Sequence, residues 1–561
     1  MNFRTDNFSL FSGRTRGFLV WLFFSIMIYL FYGSAAHLWW THDDTQILRH
    51  ALRYGPWQYF FVPGIWQELS ISNLTPLVTL SFDIDIALFG LTPKYFYIHQ
   101  LVSLSLCCIM LYYVLDLWVP SGIAFMGVSI FLVGVPVALS AQQLMIRHYI
   151  EGFLLSLLSL YLFVHGVRKH SMLLIFFSAF IYMVSTAAKE IYVPLVLLLP
   201  ALPEGNCKTR FTFCLPFFAV FFLYLYWRWW MLGALAGGYG AQWNIGDMPE
   251  LLIAHLNKIV VSLFHIGTAK DVFIPSIILL LAAGCLVQNR RVAVFGIYAG
   301  ALTILPIFTI PVFFFDSRHV FLVWGMISIV LCFALLRLWG MRAIGRTIGT
   351  LLIIVIIAGV SFKAKEVSSS NLELYQRIES EGRFFLFEAG EHDILRNPAE
   401  APWYFEGLSW LKRYYYGIVR DDTKYFYDDI FLCEESVDNK YVWNYSPQMK
   451  RVENITGSVP AIRKTYCSRV RQDAPLKIRL VYAPSRLSWE FGPYKSGNYS
   501  IILEGSAGKF DLPSSGTLKI SLSGDMIVRI RYESPGGWIT YSPPLRLGGT
   551  QHSINSIWER N

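Results

Sequence analysis

The chain has 561 residues, of which 55% are hydrophobic, 16% aromatic and only 15% charged. A soluble protein of this size has no need of so much apolar surface, so composition excludes that class and points to a polytopic membrane protein. The net charge of +9 lies partly in short loops between apolar runs and is not a nucleic-acid signal.

The first apolar run, about residues 17–40, is long enough to cross a bilayer. Gly33-Ser34-Ala35-Ala36 offers the small residues of a cleavage site, yet the run exceeds the roughly 7–15 residue core of a signal peptide. It reads as an uncleaved anchor. The chain continues Trp39-Trp40-Thr41-His42-Asp43-Asp44, an aromatic interfacial belt followed at once by two carboxylates. A carboxylate at the bilayer centre costs about 2.5–3.5 kcal/mol. At headgroup level the cost is small, and the group can act on a substrate whose lipid tail lies in the membrane. Residues 41–95 form a first external loop in which apolar patches from Tyr54 to Trp66 are broken by Pro56, Pro63 and Pro76. One or two short helices on the membrane surface are expected there, since a plain connection would be shorter and more polar.

Ten further spans are expected near 96–117, 121–141, 148–166, 171–188, 190–203, 210–232, 272–287, 292–310, 319–338 and 347–363, about eleven in all. Residues 1–363 thus form a membrane domain. The stretch 251–270 carries His255, Lys258 and His265 at helical spacing and reads as an amphipathic helix in the interface. Arg4, Arg14 and Arg16 share a side with Arg168-Lys169-His170, Lys208, Arg210, Arg290-Arg291, Arg342 and Arg346. The positive-inside rule makes that side cytoplasmic. An odd number of spans then places 364–561 outside. The same count puts Asp43, Asp44, Arg147, His148, Glu151, Lys189, Glu190, Asp316, Arg318 and His319 on the outer face. Ionisable groups at membrane depth are functional by default, and these gather where a lipid-phosphate headgroup would lie. The external loop Gly233–Glu250, with Gly237-Gly238-Tyr239-Gly240, has the composition of a mobile substrate cover.

The external part, 364–561, reads as an α+β domain. Leu372 to Tyr427 leans to helix, whereas Lys477–Tyr482, Tyr499–Leu503, Thr517–Leu522 and Met526–Tyr532 alternate as strands do. Turns at Gly505-Ser506-Ala507-Gly508 and Pro535-Gly536-Gly537 separate them, and a small antiparallel β-sandwich is expected over about 475–550. Cys433 and Cys467 are the two cysteines of this domain, and the outer compartment makes a disulfide between them the expected pairing. Cys107, Cys108, Cys207, Cys214, Cys285 and Cys332 lie in or beside apolar helices and read as packing residues.

Several motifs resemble the GT-C glycosyltransferases. The stretch Thr75–Pro93 (TPLVTLSFDIDIALFGLTP) is similar to the RPL-x-x-LS-x-x-LD-x-x-LFG-x-xP pattern of the branch containing protein O-mannosyltransferase-like membrane proteins. Asp43-Asp44 resembles that branch's acidic pair, Ala188-Lys189-Glu190 with Pro194 its S/A-KE-x-x-x-xP element, and Asp316-Ser317-Arg318-His319 its D/E-x-R-Y/H element. The chain departs from the pattern at Thr75 (usually Arg), Ser140 (usually acidic) and Gln100 (usually Asn), and no tetratricopeptide repeat follows. The resemblance implies transfer of a sugar from a polyprenyl-phosphate carrier to an acceptor hydroxyl, with inversion; the outer face is periplasm, cell exterior or ER lumen, and a bacterial inner membrane, with the site on its periplasmic or exterior face, is expected. The acceptor is a protein, a lipid or a glycan; membrane lipids are the other partners, and no nucleic acid is involved.

The chemistry needs a cation for the leaving phosphate and a base for the acceptor. Arg318 suits the phosphate as a bidentate donor, with Lys189, Arg147 and His319 as further cations. Asp43 or Asp44 fits the base. The two carboxylates, with Asp316 or Glu151, can instead hold a divalent cation such as Mg or Mn. Glu190 completes the acidic candidates. Each has a plainer reading: Asp43-Asp44 suits a helix N-cap, Arg318-His319 an interfacial anchor, Lys189-Glu190 a local turn, and Asp83 and Asp85 a structural role. Trp227-Arg228-Trp229-Trp230 reads as an aromatic belt. The rival to an enzyme is a transporter or flippase of lipid-linked glycans.

Overall fold

The computed structural model describes residues 13–235, 248–266, 272–273, 275–278, 280–281, 290–310, 315–339, 343–419, 423–434, 440–483, 486–503, 508–519, 526–547 and 554–560. Most of the expected loop Gly233–Glu250 and half of the expected span 272–287 lie outside these residues, as do Arg4, Arg342, Cys285 and Gly505-Ser506-Ala507. Two compact units are present. The first is built mainly from Met1–Leu38, Tyr54–Ala236 and Asn244–Asn371, the second from Trp39–Arg53 and Leu372–Asn561.

The first unit is helical. Among the described residues six helical stretches are long and apolar enough to cross a membrane: Thr15–His37, Pro93–Asp116, Leu144–Lys169, Cys207–Leu232, Ser317–Arg337 and Arg346–Glu388. A seventh is the bent pair α7 (Ser121–Leu132) and α8 (Val135–Gln142), which meet at 60°. Pro136 lacks the N–H that would continue the ladder, and a break follows. Gly134 at the bend leaves room for the indole of Trp324, which donates to Phe131 O at 2.9 Å. Other expected spans are shorter: α10 (Met172–Ala188) has 17 residues, and Glu190–Ala201 is a 3-10 helix interrupted by Pro194 and Pro200. Residues 292–310 fall in a 15-residue helix, Arg290–Ile304, followed by a 3-10 turn.

Prolines set the helix starts of the loop after the first span. Pro56, Pro63 and Pro76 stand in the first turns of α3 (Pro56–Phe61), α4 (Pro63–Leu69) and α5 (Pro76–Phe89). Proline has no donor to lose there and its φ is already helical. With α2 (Asp44–Arg53), the loop therefore holds four helices where one or two were expected. The Leu88-Phe89-Gly90-Leu91-Thr92-Pro93 element gains a backbone meaning. Gly90, at φ +61°, ends α5, and Pro93 opens α6 (Pro93–Asp116).

The last long helix, Ala343–Arg383, runs unbroken for 41 residues. Hydropathy falls at 363, but the polar half keeps its helix through pairs such as Arg377–Glu381 (2.7 Å) and Arg383–Glu379 (2.8 Å).

The second unit combines three sheets with short helices. β1 (Asp393–Arg396) pairs in parallel with β2 (Lys424–Phe426) and with β3 (Tyr441–Ser446), and β4 (Arg451–Asn454) follows β3 antiparallel. A disulfide joins Cys433 to Cys467. Two antiparallel sheets come next. One orders β13 (Ile554–Arg560), β5 (Leu476–Ala483), β6 (Arg486–Gly492) and β9 (Ser515–Lys519). The other orders β11 (Ile539–Tyr541), β10 (Met526–Glu533), β7 (Asn498–Leu503) and β8 (Lys509–Leu512), with β12 (Leu545–Leu547) on β10. Strand β5 alternates buried and exposed residues. Leu476, Ile478 and Leu480 of one sheet share an apolar core with Tyr499, Val528 and Ile530 of the other. Strand β13 extends this region beyond the expected end at 550.

Candidate functional site

Asp43 and Asp44 open α2 in the second unit, and their side chains part company. Asp43 is exposed; its carbonyl accepts from Gln46 N and Ile47 N, both at 3.0 Å, so it holds the cap position through its backbone. Asp44 is wholly buried, with Oδ2 accepting from Thr41 N at 2.8 Å. Its carboxylate thus bonds backward along the chain and does not cap the helix. Oδ1 has no hydrogen-bond partner among the described residues. Burial first, then the negative charges of Asp43 and Glu400, push the Asp44 carboxyl up to about 7, against the pull of the Thr41 N–H and His42.

Sequence reading missed Glu400, which is 358 residues from its partner. Its carboxylate accepts from His42 N at 2.8 Å and lies 3.2 Å from His42 Nδ1. Burial opposes charge on His42, but Glu400, Asp44 and Asp43 outweigh it and raise the ring above its ordinary range. The helix Pro402–Tyr414 (α16) supports α2 closely. Thr45 Oγ1 donates to Tyr404 O at 2.9 Å, and a side chain at Gly407 would collide with Thr45.

The first unit holds two further polar clusters. In one, Lys189 follows α10 in extended backbone, and Arg318 and His319 lie in the 3-10 turn Ser317–Val320. Arg318 Nη1 reaches Met145 Sδ at 3.8 Å, just before buried His148 at the start of α9 (Arg147–Lys169). The Lys189 ammonium stands 5.5 Å over the Tyr149 ring. No ion pair to Lys189 is formed among the described residues. Burial first, then Arg318 and Arg228, bring its ammonium down to about 7. Asp316 is half-exposed and serves the turn: Arg318 N donates to its carboxylate at 2.9 Å, and Arg318 Nε lies 3.0 Å from it. His319 Nδ1 accepts from Asp316 N at 3.2 Å.

Arg147 belongs to the other cluster. It is fully buried; its guanidinium donates to Asp85 Oδ2 (2.5 Å), Ser81 Oγ (3.0 Å) and Phe96 O (2.6 Å), and Phe82 and Phe96 flank it. Glu151 joins through Ser81, which donates to it at 2.6 Å, and His99 Nδ1 lies 2.8 Å from Asp85. The structural role expected of Asp85 is that of partner to Arg147; this pairing, and His99 beside it, become visible only once α5, α6 and α9 are packed. Glu190 accepts from Leu74 N at 2.8 Å and pairs with Arg228, which is buried within the expected aromatic belt. Trp229 and Trp230 of that belt are exposed. Two of the positions that depart from the GT-C pattern meet each other: Gln100 Nε2 donates to Ser140 O and, at 3.1 Å, to Gln143 O.

Among the described residues no three His, Cys, Asp or Glu side chains are gathered as metal ligands. No protein-family model matches the chain, and no curated protein matches it. Its functional reading rests on the geometry of these clusters and on the motifs that carry them.

Proposed function

We propose that the chain is an inverting glycosyltransferase of the GT-C type, with about eleven spans. It would move a sugar from a polyprenyl-phosphate donor to an acceptor hydroxyl on the extracytoplasmic face, periplasmic or exterior, of a bacterial inner membrane. The acceptor oxygen attacks the anomeric carbon as the bond to the carrier phosphate breaks, and the acceptor proton passes to a carboxylate. Asp44, with one oxygen unbonded, is the first candidate for that base and exposed Asp43 the second. The departing polyprenyl phosphate is a weak base that needs charge more than a proton. Lys189, Arg318 and His319 of the first unit would supply that charge.

The observation that carries this reading is the cationic cluster around Lys189. Three elements far apart in sequence bring like charges together, yet no carboxylate among the described residues pairs with Lys189. Arg318 and Arg228 keep carboxylate partners in Asp316 and Glu190, which leaves Lys189 as the member of the cluster with charge to offer an anion. Arg147 serves as scaffold, since both its Nη atoms already donate, to Asp85, Ser81 and Phe96 O. To hold a divalent cation, Mg or Mn, Asp43 and Asp44 would have to turn toward each other, since one side chain is exposed and the other buried; the cation would then supply charge to the leaving phosphate.

The test mixes purified protein with radiolabelled polyprenyl-phosphate hexoses and pentoses and with protein, lipid and glycan acceptors. Wild type should transfer label, and Asp44→Ala and Arg318→Ala should not; transfer persisting in both variants removes the site. A chelator arm reads metal use. One observation favours the transporter alternative: the broken helix pair at Leu132–Val135 resembles the discontinuous helices of carriers. Movement of labelled lipid-linked sugar across proteoliposomes without transfer would establish that reading instead.

A further inference from the structure

The second unit contains a cleft of about 500 Å³ walled by the turn Asn397–Ala401, the start of α16 and strand β8. We propose that this cleft is a saccharide subsite, lined by Glu400, Trp403, Tyr427, Lys509 and Phe510, which presents a glycan acceptor to the acidic turn at Asp43-Asp44. Naming its occupant an acceptor rests on the transferase reading; the binding chemistry stands apart from it.

The walls match the two faces of a sugar ring, one of C–H bonds and one of hydroxyls. Trp403 and Phe510 stack with centroids 5.6 Å apart and planes 3° apart, and Trp403 keeps 40% of its surface exposed. Such a flat, rigid aromatic platform suits the C–H face at low entropic cost. Around it stand the groups that hydroxyls need. Lys509 forms no ion pair among the described residues, and Asn397, held at φ +45°, has a buried Oδ1 with no partner among them. An apolar floor with a few convergent polar groups, in a volume of this order, is the usual build of a small-ligand site.

Glu400 connects the cleft to the proposed chemistry. It lines the cavity and also bonds His42 N at 2.8 Å, one residue before Asp43. The Tyr427 hydroxyl donates to Glu400 O and pins the ring against the same wall. An extended peptide is the less suitable occupant. Strand β8 is an edge, but it is four residues long and carries Lys509 and Asp511, a pattern that discourages strand addition.

The experiment uses the full chain in lipid nanodiscs and reads tryptophan fluorescence and saturation-transfer NMR. The probes are mannotriose, maltotriose, triacetylchitotriose and a Ser/Thr-rich decapeptide. At least one trisaccharide should bind, with affinity falling about tenfold or more in Trp403→Ala and several-fold in Lys509→Ala. Should Trp403→Ala fail to fold, Trp403→His and the surface change Lys509→Ala carry the same test. The inference is overturned if no trisaccharide binds at about 10 mM, if binding is unchanged in these variants, or if the decapeptide binds in preference. Binding needs no donor, so Trp403-dependent binding by a protein that transfers nothing would retain the saccharide site while removing the transferase reading.

Discussion

Arg147 and Lys189 are both cations of the first unit, at the start of one helix and just past the end of the next, and their surroundings could hardly differ more. Arg147 is sealed in, its fork divided between Asp85, Ser81 and a backbone carbonyl. Lys189 meets an aromatic face and the fields of Arg318 and Arg228. A buried charge held in an ion pair supports the fold around it; a cation without a carboxylate partner is the proposed place for an anion. The difference separates scaffold from site in a region where both are equally rich in polar residues.

The sharpest way to break that distinction is at Arg147. Removing one partner of a buried ion pair leaves the other uncompensated, at about 3–5 kcal/mol. Arg147→Ala should therefore lower the thermal midpoint of the purified protein severely, and Arg147→Lys should lower it less, because charge survives while the fork is lost. An Arg147→Ala protein with unchanged melting but no transfer would move Arg147 from scaffold to site.

That assignment was only half legible in the chain. The acidic pair, the KE element and the Asp316–His319 segment stood out because charge is rare among apolar runs. Proline and glycine marked the ends of α5 and the start of α6 for the same local reason. Partners could not be read in this way. Asp85 reaches Arg147 across 62 residues and His42 reaches Glu400 across 358, and neither distance has a periodicity to betray it. The expected boundary at 363 followed hydropathy, which reports what a helix faces and not where it stops. Lys363–Arg383 continues as helix on Glu, Lys and Arg pairs.

At Lys189 the expected effect falls on rate. Lys189→Ala should reduce transfer by about 10²–10³, in the range for a lost charge-stabilising group. Its stability should be unchanged or slightly raised, since a repelled charge has been removed. A large loss of melting temperature with intact transfer would reverse the comparison.

The pH dependence separates the two proposed roles. Asp44 is raised from 3.8 to about 7, so the base form appears as pH climbs through 7 and transfer should rise with it. The stability contribution of Asp44 has the opposite sense: fully present below about pH 4, it is lost as pH rises through about 7. Lys189 is lowered from 10.5 to about 7; its contribution is present above pH 10.5 and is lost as pH falls through about 7. A bound phosphate would favour its protonated form, so anion affinity should weaken above pH 7. The profile of kcat/KM is then bell-shaped around neutrality. Asp44→Asn should flatten the acid limb in its residual activity, and Lys189→Ala the alkaline limb. Two unchanged limbs in both variants would detach these groups from the reaction.

The smallest effect should be at Asp316. Its carboxylate is half-exposed and holds the turn through Arg318 N and the Arg318 side chain. An exposed pair of this kind is worth about 0–1 kcal/mol, so Asp316→Asn should scarcely change melting. Its effect on transfer should be modest and have a definite sign. Without Asp316 the Arg318 guanidinium is less neutralised, which strengthens its pull on a phosphate while loosening its position. Tighter donor binding with a lower maximal rate is the signature of that trade, read as KM and kcat falling together. If instead Asp316→Asn abolished transfer with donor binding intact, Asp316 would be a proton-transfer group, and the carboxylate that matters would belong to the first unit and not to α2.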